Sequence, residues 1–130
     1  MLSRFLILLA FSAALAQAAP RVLAVDIDSV VHPATVEIVS RALDQAVQEH
    51  CELVLIRLNT PGGLMEAMRE TIQKIVASPV PVVTYVTPSG GRAASAGFFL
   101  LQAGDIAAMA RVLTQALLIL SCSGLRWIRL

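Results

Sequence analysis

A serine that follows a glycine-rich turn is the residue of this sequence best suited to chemistry. Ser95 lies in a small-residue stretch, residues 88–97, between a β-branched apolar run and an apolar run that favours a helix. The start of a helix carries free backbone N–H groups and a dipole that stabilise negative charge. Two interpretations are open on local pattern alone. Either the Ser95 hydroxyl caps the helix, or it is a nucleophile whose small neighbours admit a substrate backbone.

A second glycine turn, at Gly62 and Gly63, favours the nucleophile. One turn can offer backbone N–H groups to an oxyanion while the other supplies the hydroxyl, which is the arrangement that acyl transfer requires. Binding of a phosphate is the rival use of glycine turns. However, the glycines are not followed by the lysine and hydroxyl of a P-loop, and no complete dinucleotide-binding motif is present. The pattern therefore favours a carbonyl substrate.

Alternating strands and helices must position the two turns. Apolar runs predict strands at residues 21–27, 53–58, 80–86 and 105–110, and helical patterns predict helices at 34–48, 64–76 and from 98 onward. This alternation predicts an α/β fold with a mainly parallel sheet and right-handed crossovers. Ligands bind at the carboxyl ends of the strands in such sheets, which is where both turns fall. The nearly continuous apolar run at 53–58 further predicts a strand covered on both faces.

The first 18 residues have the layout of a secretory signal peptide. A single basic residue, Arg4, precedes an apolar run, and small residues end at Ala18, after which we expect cleavage. An uncleaved membrane anchor is the alternative, but the apolar core is shorter than the roughly 20 residues that a span needs. The sequence therefore predicts an exported protein in a periplasmic or extracytoplasmic compartment.

Composition excludes several other classes of function. The net charge is +1 and the chain has no basic face, so nucleic acid is not an expected partner. Cys51 and Cys122 could form one disulfide in an exported protein. His32 and His50 stand alone, and we expect His32 in the turn that opens the first helix. Since no metal-ligand spacing appears, we expect neither a metal nor another cofactor.

The residues of the two turns resemble the NfeD (nodulation-efficiency protein D) family. The resemblance is carried by residues 58–63 and 88–97 and extends over residues 22–110. Members of this family are membrane-associated serine proteases with a Clp-protease/crotonase fold, and they usually pair with stomatin-like partners. The resemblance therefore implies that fold and that class of activity.

The resemblance also implies a site. Ser95 would be the nucleophile, and the backbone N–H groups of Gly62, Gly63 and Ala96 would form the oxyanion hole. The family further implies a peptide substrate that is apolar or close to a membrane, and a homo-oligomer. Two residues, Asn59 and Gly91, stand where the family usually has aspartate and alanine, but neither change removes a backbone donor.

The end of the chain departs from the family more seriously. In the family, a lysine downstream of the serine is the general base, whereas no lysine or histidine follows Ser95 here. The only lysine, Lys74, is expected to be a surface charge on the second helix. A serine without its base is a weak nucleophile, because loss of the base costs about 10⁴-fold in rate or more. The sequence thus predicts a catalytically incomplete Ser–Lys site.

The tail, residues 111–130, has an unusual relation to the family sequence. Codons 112–120 can be read in a shifted frame, in which each new codon begins at the third base of an existing one. With suitable third bases, this frame encodes the family's Ser-Asn-Thr-Gly-Ala-Ala-His-Pro. We therefore hypothesise that the tail is an out-of-frame translation, and that residues 19–110 are the N-terminal part of a catalytic domain. The alternatives are a divergent C-terminal helix or a tail lying against a membrane. The nucleotide sequence tests the hypothesis, since third bases that do not permit the spelling would reject it.

Together these observations predict an NfeD-type serine endopeptidase, exported or membrane-associated, whose lysine base is missing from this chain. One alternative is a non-catalytic partner of a stomatin-like membrane scaffold with the same fold. Another is a crotonase-like enzyme that acts on acyl-CoA, which the signal peptide disfavours.

Overall fold

The computed structural model describes residues 19–110 and the backbone of residues 127–129. Its elements are β1 Val22–Ile27, α1 Pro33–Gln48, β2 Leu53–Leu58, α2 Met65–Val76, β3 Val82–Val86, α3 Ala96–Ala103, β4 Ile106–Met109 and β5 Trp127–Arg129. No helix among these residues reaches the length and hydrophobicity needed to cross a bilayer. The expected signal peptide, Cys122 and most of the tail lie outside the described residues, so the predictions made for them stay predictions.

The strands that the structure describes are all parallel, and they cross the sheet in chain order, β1-β2-β3-β4-β5. Right-handed crossovers between strands in this order place the connecting helices on the same face. The contacts agree, because α1 packs on β1 and β2, α3 packs on β3 and β4, and α2 packs against both α1 and α3. The predicted α/β class with a parallel sheet is confirmed.

The two faces of the sheet differ in burial, unlike the prediction for residues 53–58. On the helix-covered face, Val54, Ile56 and Leu58 of β2 are fully buried. On the other face, Leu55 is half-buried and Arg57 is exposed. The prediction of cover on both faces is therefore wrong for the described part of the chain. The reason is topological, because strands in sequential order collect their helices on one face only.

The third and fourth strands begin later in the chain than predicted. Pro81 and Asp105, which were expected to belong to them, precede the strands instead. β3 begins at Val82, after Pro81, which has no N–H to offer a neighbouring strand. β4 begins at Ile106, after Asp105, whose carboxylate accepts a hydrogen bond from the Val82 N–H at 2.8 Å. That bond joins the starts of both strands at the amino-terminal end of the sheet, whereas the glycine turns lie at the carboxyl-terminal end.

Helix α1 begins at a histidine cap. The Ala34 N–H donates to His32 Nδ1 at 3.2 Å, and the His32 N–H donates to Thr35 Oγ1 at 3.2 Å. These bonds satisfy one N–H at the helix start and one at the cap itself. His32 therefore lies in the turn that opens the first helix, as expected. Because Nδ1 is the acceptor, the neutral imidazole carries its proton on Nε2.

Candidate active site

Ser95 stands at the N-terminal end of α3 with an unusual backbone conformation. Its φ is 51° and its ψ is −118°, a region that non-glycine residues avoid because it is sterically strained. The side chain is exposed and makes no capping bond to α3. The capping interpretation is therefore wrong, and the hydroxyl is accessible to a substrate.

Gly62 lies directly against Ser95, although the two residues belong to different turns. A Cβ on Gly62 would lie 2.8 Å from Ser95 Cβ and 3.3 Å from the Ala96 nitrogen, which is too close for any side chain. The φ of Gly62 is 116°, a conformation that favours glycine. The turn after β2 and the serine turn thus face each other across a gap that only a glycine backbone fits.

Backbone hydrogen bonds hold the two turns together. The Thr60 N–H donates to the Arg92 carbonyl at 2.7 Å, and the Ala94 N–H donates to the Thr60 carbonyl at 3.1 Å. Thr60 and Ala93 are thereby paired in a short parallel bridge. This bridge extends the β2–β3 pairing beyond the strand ends, and it ends one residue before Ser95.

The predicted oxyanion donors are not equivalent. The Gly62 N–H donates to the Thr60 hydroxyl oxygen at 3.1 Å, so it is not free to bind an oxyanion in this structure. The N–H groups of Gly63 and Ala96 make no hydrogen bond within the described residues. Gly63 is exposed, and Ala96 is the first residue of α3, where the helix leaves its N–H groups unpaired. Two of the three predicted amides therefore remain as candidates.

Two residues, His32 and Lys74, are conceivable as substitute bases, and the structure gives each of them another place. His32 Nδ1 already accepts the Ala34 N–H in the cap of α1. Lys74 is exposed in the last turn of α2, whose first turn follows Gly63. The rise of an α-helix puts about 14 Å between Met65, at the start of α2, and Lys74. Neither of these side chains forms a hydrogen bond with Ser95 in the described part of the chain, and no group of three metal-ligating side chains occurs there.

The Asn59 side chain bridges two other parts of the site. Its Nδ2 donates to Asp28 Oδ1 at 2.7 Å, just after β1. Its Oδ1 accepts from the Arg92 N–H at 3.2 Å, in the serine turn. Asparagine suits this position because its amide can both donate to a carboxylate and accept from a backbone N–H. The bond from Asn59 explains why the serine turn stays in register with the ends of β1 and β2.

Asn59→Asp is expected to lower the free energy of unfolding by about 1 kcal/mol near neutral pH, because it sets a second carboxylate against Asp28. Unfolding by urea near neutral pH measures this loss. The double variant Asp28→Asn, Asn59→Asp restores the pair with exchanged partners, and its failure to recover stability would contradict the importance of the bond.

Comparison with known proteins shows the family of this chain. Residues 21–120 match the model of the NfeD1b N-terminal domain. The chain belongs to this family. The predicted relationship to NfeD proteins is thereby confirmed, and the matched range contains both glycine turns and Ser95.

Two relatives are similar over about half of the chain. One is the membrane-bound protease PH1510 of Pyrococcus horikoshii, 41% identical over 70 residues, or 54% of this chain and 16% of the relative. The other is the membrane protein NfeD1b of Bacillus subtilis, 38% identical over 68 residues, or 52% of this chain and 15% of the relative. The matches thus span less than a fifth of either relative's length, and both relatives are named as membrane proteins.

Solved structures share the fold. A serine-to-alanine mutant of the 1510-N membrane-bound stomatin-specific protease has a TM-score of 0.70 at 34% identity, over 72% of this chain and 45% of that one. A lysine-to-alanine mutant of that protease, in complex with a substrate peptide, has a TM-score of 0.69 at 35% identity, over 72% and 43%. ClpP1 of Listeria monocytogenes, with a TM-score of 0.58 at 22% identity, shows the fold alone. The predicted Clp-protease-like fold is confirmed.

Proposed function

We propose that this chain supplies the nucleophile and the oxyanion hole of a membrane-associated serine endopeptidase. The observation that carries the proposal is the placement of Ser95: exposed, strained at its backbone and in contact with Gly62. In the proposed reaction, Ser95 Oγ attacks the carbonyl carbon of a peptide bond while its proton passes to a general base and the carbonyl π electrons move onto oxygen. The N–H groups of Gly63 and Ala96 then stabilise the negative oxygen that forms. Collapse of this intermediate breaks the C–N bond and releases the amine, which takes up the proton. The similarity to a solved serine-dependent protease of the same fold supports this assignment.

The general base is the part of the machinery that we do not assign to these residues. The family resemblance calls for a lysine downstream of the serine, and the sequence has none. Attack by a neutral serine hydroxyl is slow, with a loss of about 10⁴-fold when the base is removed. We therefore expect the 130-residue chain alone to turn over peptides very slowly, and to react with fluorophosphonates slowly as well, because that reaction also begins with attack by the Ser95 oxygen. An out-of-frame tail at residues 111–130 would account for the missing lysine.

Apolar residues flank the site along the chain and indicate an apolar peptide as substrate. Leu64 and Met65, directly after Gly63, are 58% and 60% exposed, and Phe99, one turn after Ser95, is 52% exposed. Large side chains with this exposure become buried when an apolar peptide binds, which favours the complex. A stomatin-like protein is the partner we propose, because the similar solved protease is described as stomatin-specific. Export through residues 1–18 and a homo-oligomer complete the proposal.

An apolar peptide is expected to slow the labelling of Ser95 by a fluorophosphonate at least about threefold at saturation, because it occupies the site next to the serine. Mass spectrometry of the adduct measures the rate. Leu64→Ser with Met65→Ser should abolish the protection, whereas Val76→Ser, 70% exposed at the far end of α2, should leave it unchanged. Equal protection by a polar peptide of the same length would contradict an apolar substrate.

A non-catalytic partner of a membrane scaffold is the second candidate. It is favoured by one observation: among the described residues, His32 Nδ1 accepts the Ala34 N–H in the cap of α1 and is therefore not available as a base for Ser95. The two candidates differ in the same labelling experiment. A serine that does not react with a fluorophosphonate even in a full-length, frame-corrected protein would favour the scaffold partner.

A further inference from the structure

Thr60 is fully buried between the two turns, and its hydroxyl bonds to both polar groups of one residue. The hydroxyl oxygen accepts from the Gly62 N–H at 3.1 Å, and the hydroxyl donates to the Gly62 carbonyl at 3.2 Å. The Gly62 carbonyl also accepts from the Val31 N–H at 2.8 Å. Three hydrogen bonds thus hold the Gly62 backbone, one at its N–H and two at its carbonyl. They restrain a residue type that has more conformational freedom than any other.

These bonds have a consequence for the next N–H in the chain. In a planar trans peptide, the carbonyl of one residue and the N–H of the next point in opposite directions. Since Thr60 and Val31 hold the Gly62 carbonyl, they also fix the direction of the Gly63 N–H. That N–H belongs to an exposed residue and makes no hydrogen bond within the described part of the chain.

The methyl group of Thr60 contacts the other side of the site. A Cβ on Gly97 would fall well inside van der Waals contact with Thr60 Cγ2, so the methyl group packs directly on the first turn of α3. The Thr60 backbone pairs with Arg92 and Ala94 in the serine turn. One side chain therefore contacts both the turn that carries the Gly63 N–H and the helix that begins after Ser95.

We propose that Thr60 is a positioning residue of the oxyanion hole, whose hydroxyl holds the Gly62–Gly63 peptide so that the Gly63 N–H points away from the core. This inference rests on the proposed function, because it gives the Gly63 N–H an oxyanion to bind. Without the hydroxyl, the peptide can rotate and withdraw the donor. Loss of one oxyanion-hole donor slows serine proteases by about 10²–10³-fold, which is the upper limit for a residue that acts through it.

Two variants of the 130-residue chain separate the hydroxyl of Thr60 from its methyl group. Thr60→Val keeps the size and the methyl group, whereas Thr60→Ser keeps the hydroxyl. We expect Thr60→Val to slow fluorophosphonate labelling of Ser95 by about tenfold or more, and serine to restore the rate to within about threefold of wild type. In parallel, hydrogen exchange of the Gly62 amide, measured by NMR, should accelerate by about tenfold or more in Thr60→Val but not in Thr60→Ser.

Each outcome shows whether the Thr60 hydroxyl positions the Gly62–Gly63 peptide or whether Thr60 has another role. Wild-type labelling in Thr60→Val, or slow labelling in both variants, would overturn the proposal. If Thr60→Val does not fold, Thr60→Ser decides alone, because loss of its labelling or of its Gly62 protection would equally overturn it. If neither the 130-residue chain nor a full-length, frame-corrected protein reacts, the proposed function fails. The Gly62 exchange rates then still show whether the hydroxyl holds the peptide.

Discussion

Ser95→Ala is expected to abolish covalent labelling of the chain by a fluorophosphonate, because the reagent forms its bond with a serine oxygen that the variant lacks. The wild-type chain should gain one adduct, located on Ser95 by mass spectrometry of the peptides. Ser89→Ala is the matched control, since Ser89 is an exposed serine in the same turn. It should be labelled at the wild-type rate. An adduct of equal yield in Ser95→Ala would contradict Ser95 as the nucleophile.

The same variant also tests the structural assignment of Ser95. Loss of a helix-capping hydroxyl typically costs about 1 kcal/mol. Because Ser95 makes no capping bond to α3, Ser95→Ala should change the free energy of unfolding by less than about 0.5 kcal/mol. The variant should therefore lose its reactivity and keep its stability. A drop in stability of the size that capping predicts would show that the hydroxyl supports the helix after all.

Sequence patterns were sufficient for the elements from β1 to β4 because those patterns are local, whereas they predicted no strand where β5 lies, at Trp127–Arg129. The apolar runs in β1 and β2 and the periodic stripes in α1 and α2 follow from the repeat of each backbone conformation. The carboxyl-end position of both glycine turns follows from parallel strands. The strand order could not be read from these patterns, and it decides which face the helices cover. For this reason the prediction that β2 is covered on both faces is wrong at Leu55 and Arg57.

The details of the site depend on contacts between distant parts of the chain, which local patterns do not encode. The sequence around Ser95 is compatible both with a helix cap and with a nucleophile on a strained backbone. The structure shows the strained backbone, together with a close approach of Gly62 that leaves no space for a side chain at that position. Likewise, the family resemblance implies that the Gly62 N–H is an oxyanion donor, whereas in the structure it donates to the Thr60 hydroxyl. The bond between Asn59 and Asp28 joins residues that are 31 positions apart.

Gly63→Ala is expected to be strongly destabilising, by about 3 kcal/mol or more, at the upper end of what overpacking produces. A Cβ at this position would lie 2.7 Å from the Val31 carbonyl carbon and closer still to its oxygen. Those atoms cannot move aside easily, since the Val31 N–H donates to the Gly62 carbonyl at 2.8 Å and the Leu64 N–H donates to the Val31 carbonyl at 2.9 Å. Urea unfolding measures the loss.

Gly90→Ala is the control that separates space from backbone conformation. Gly90 has a φ of 84°, and a Cβ there would meet nothing within 4 Å. Its replacement should therefore cost only the strain of a left-handed alanine, about 1–2 kcal/mol. Gly63 has no positive φ, so its larger loss would come from contact with Val31 alone. If Gly63→Ala were as mild as Gly90→Ala, the Val31 backbone would be yielding. The Gly63 N–H would then lack the rigid support that an oxyanion donor needs.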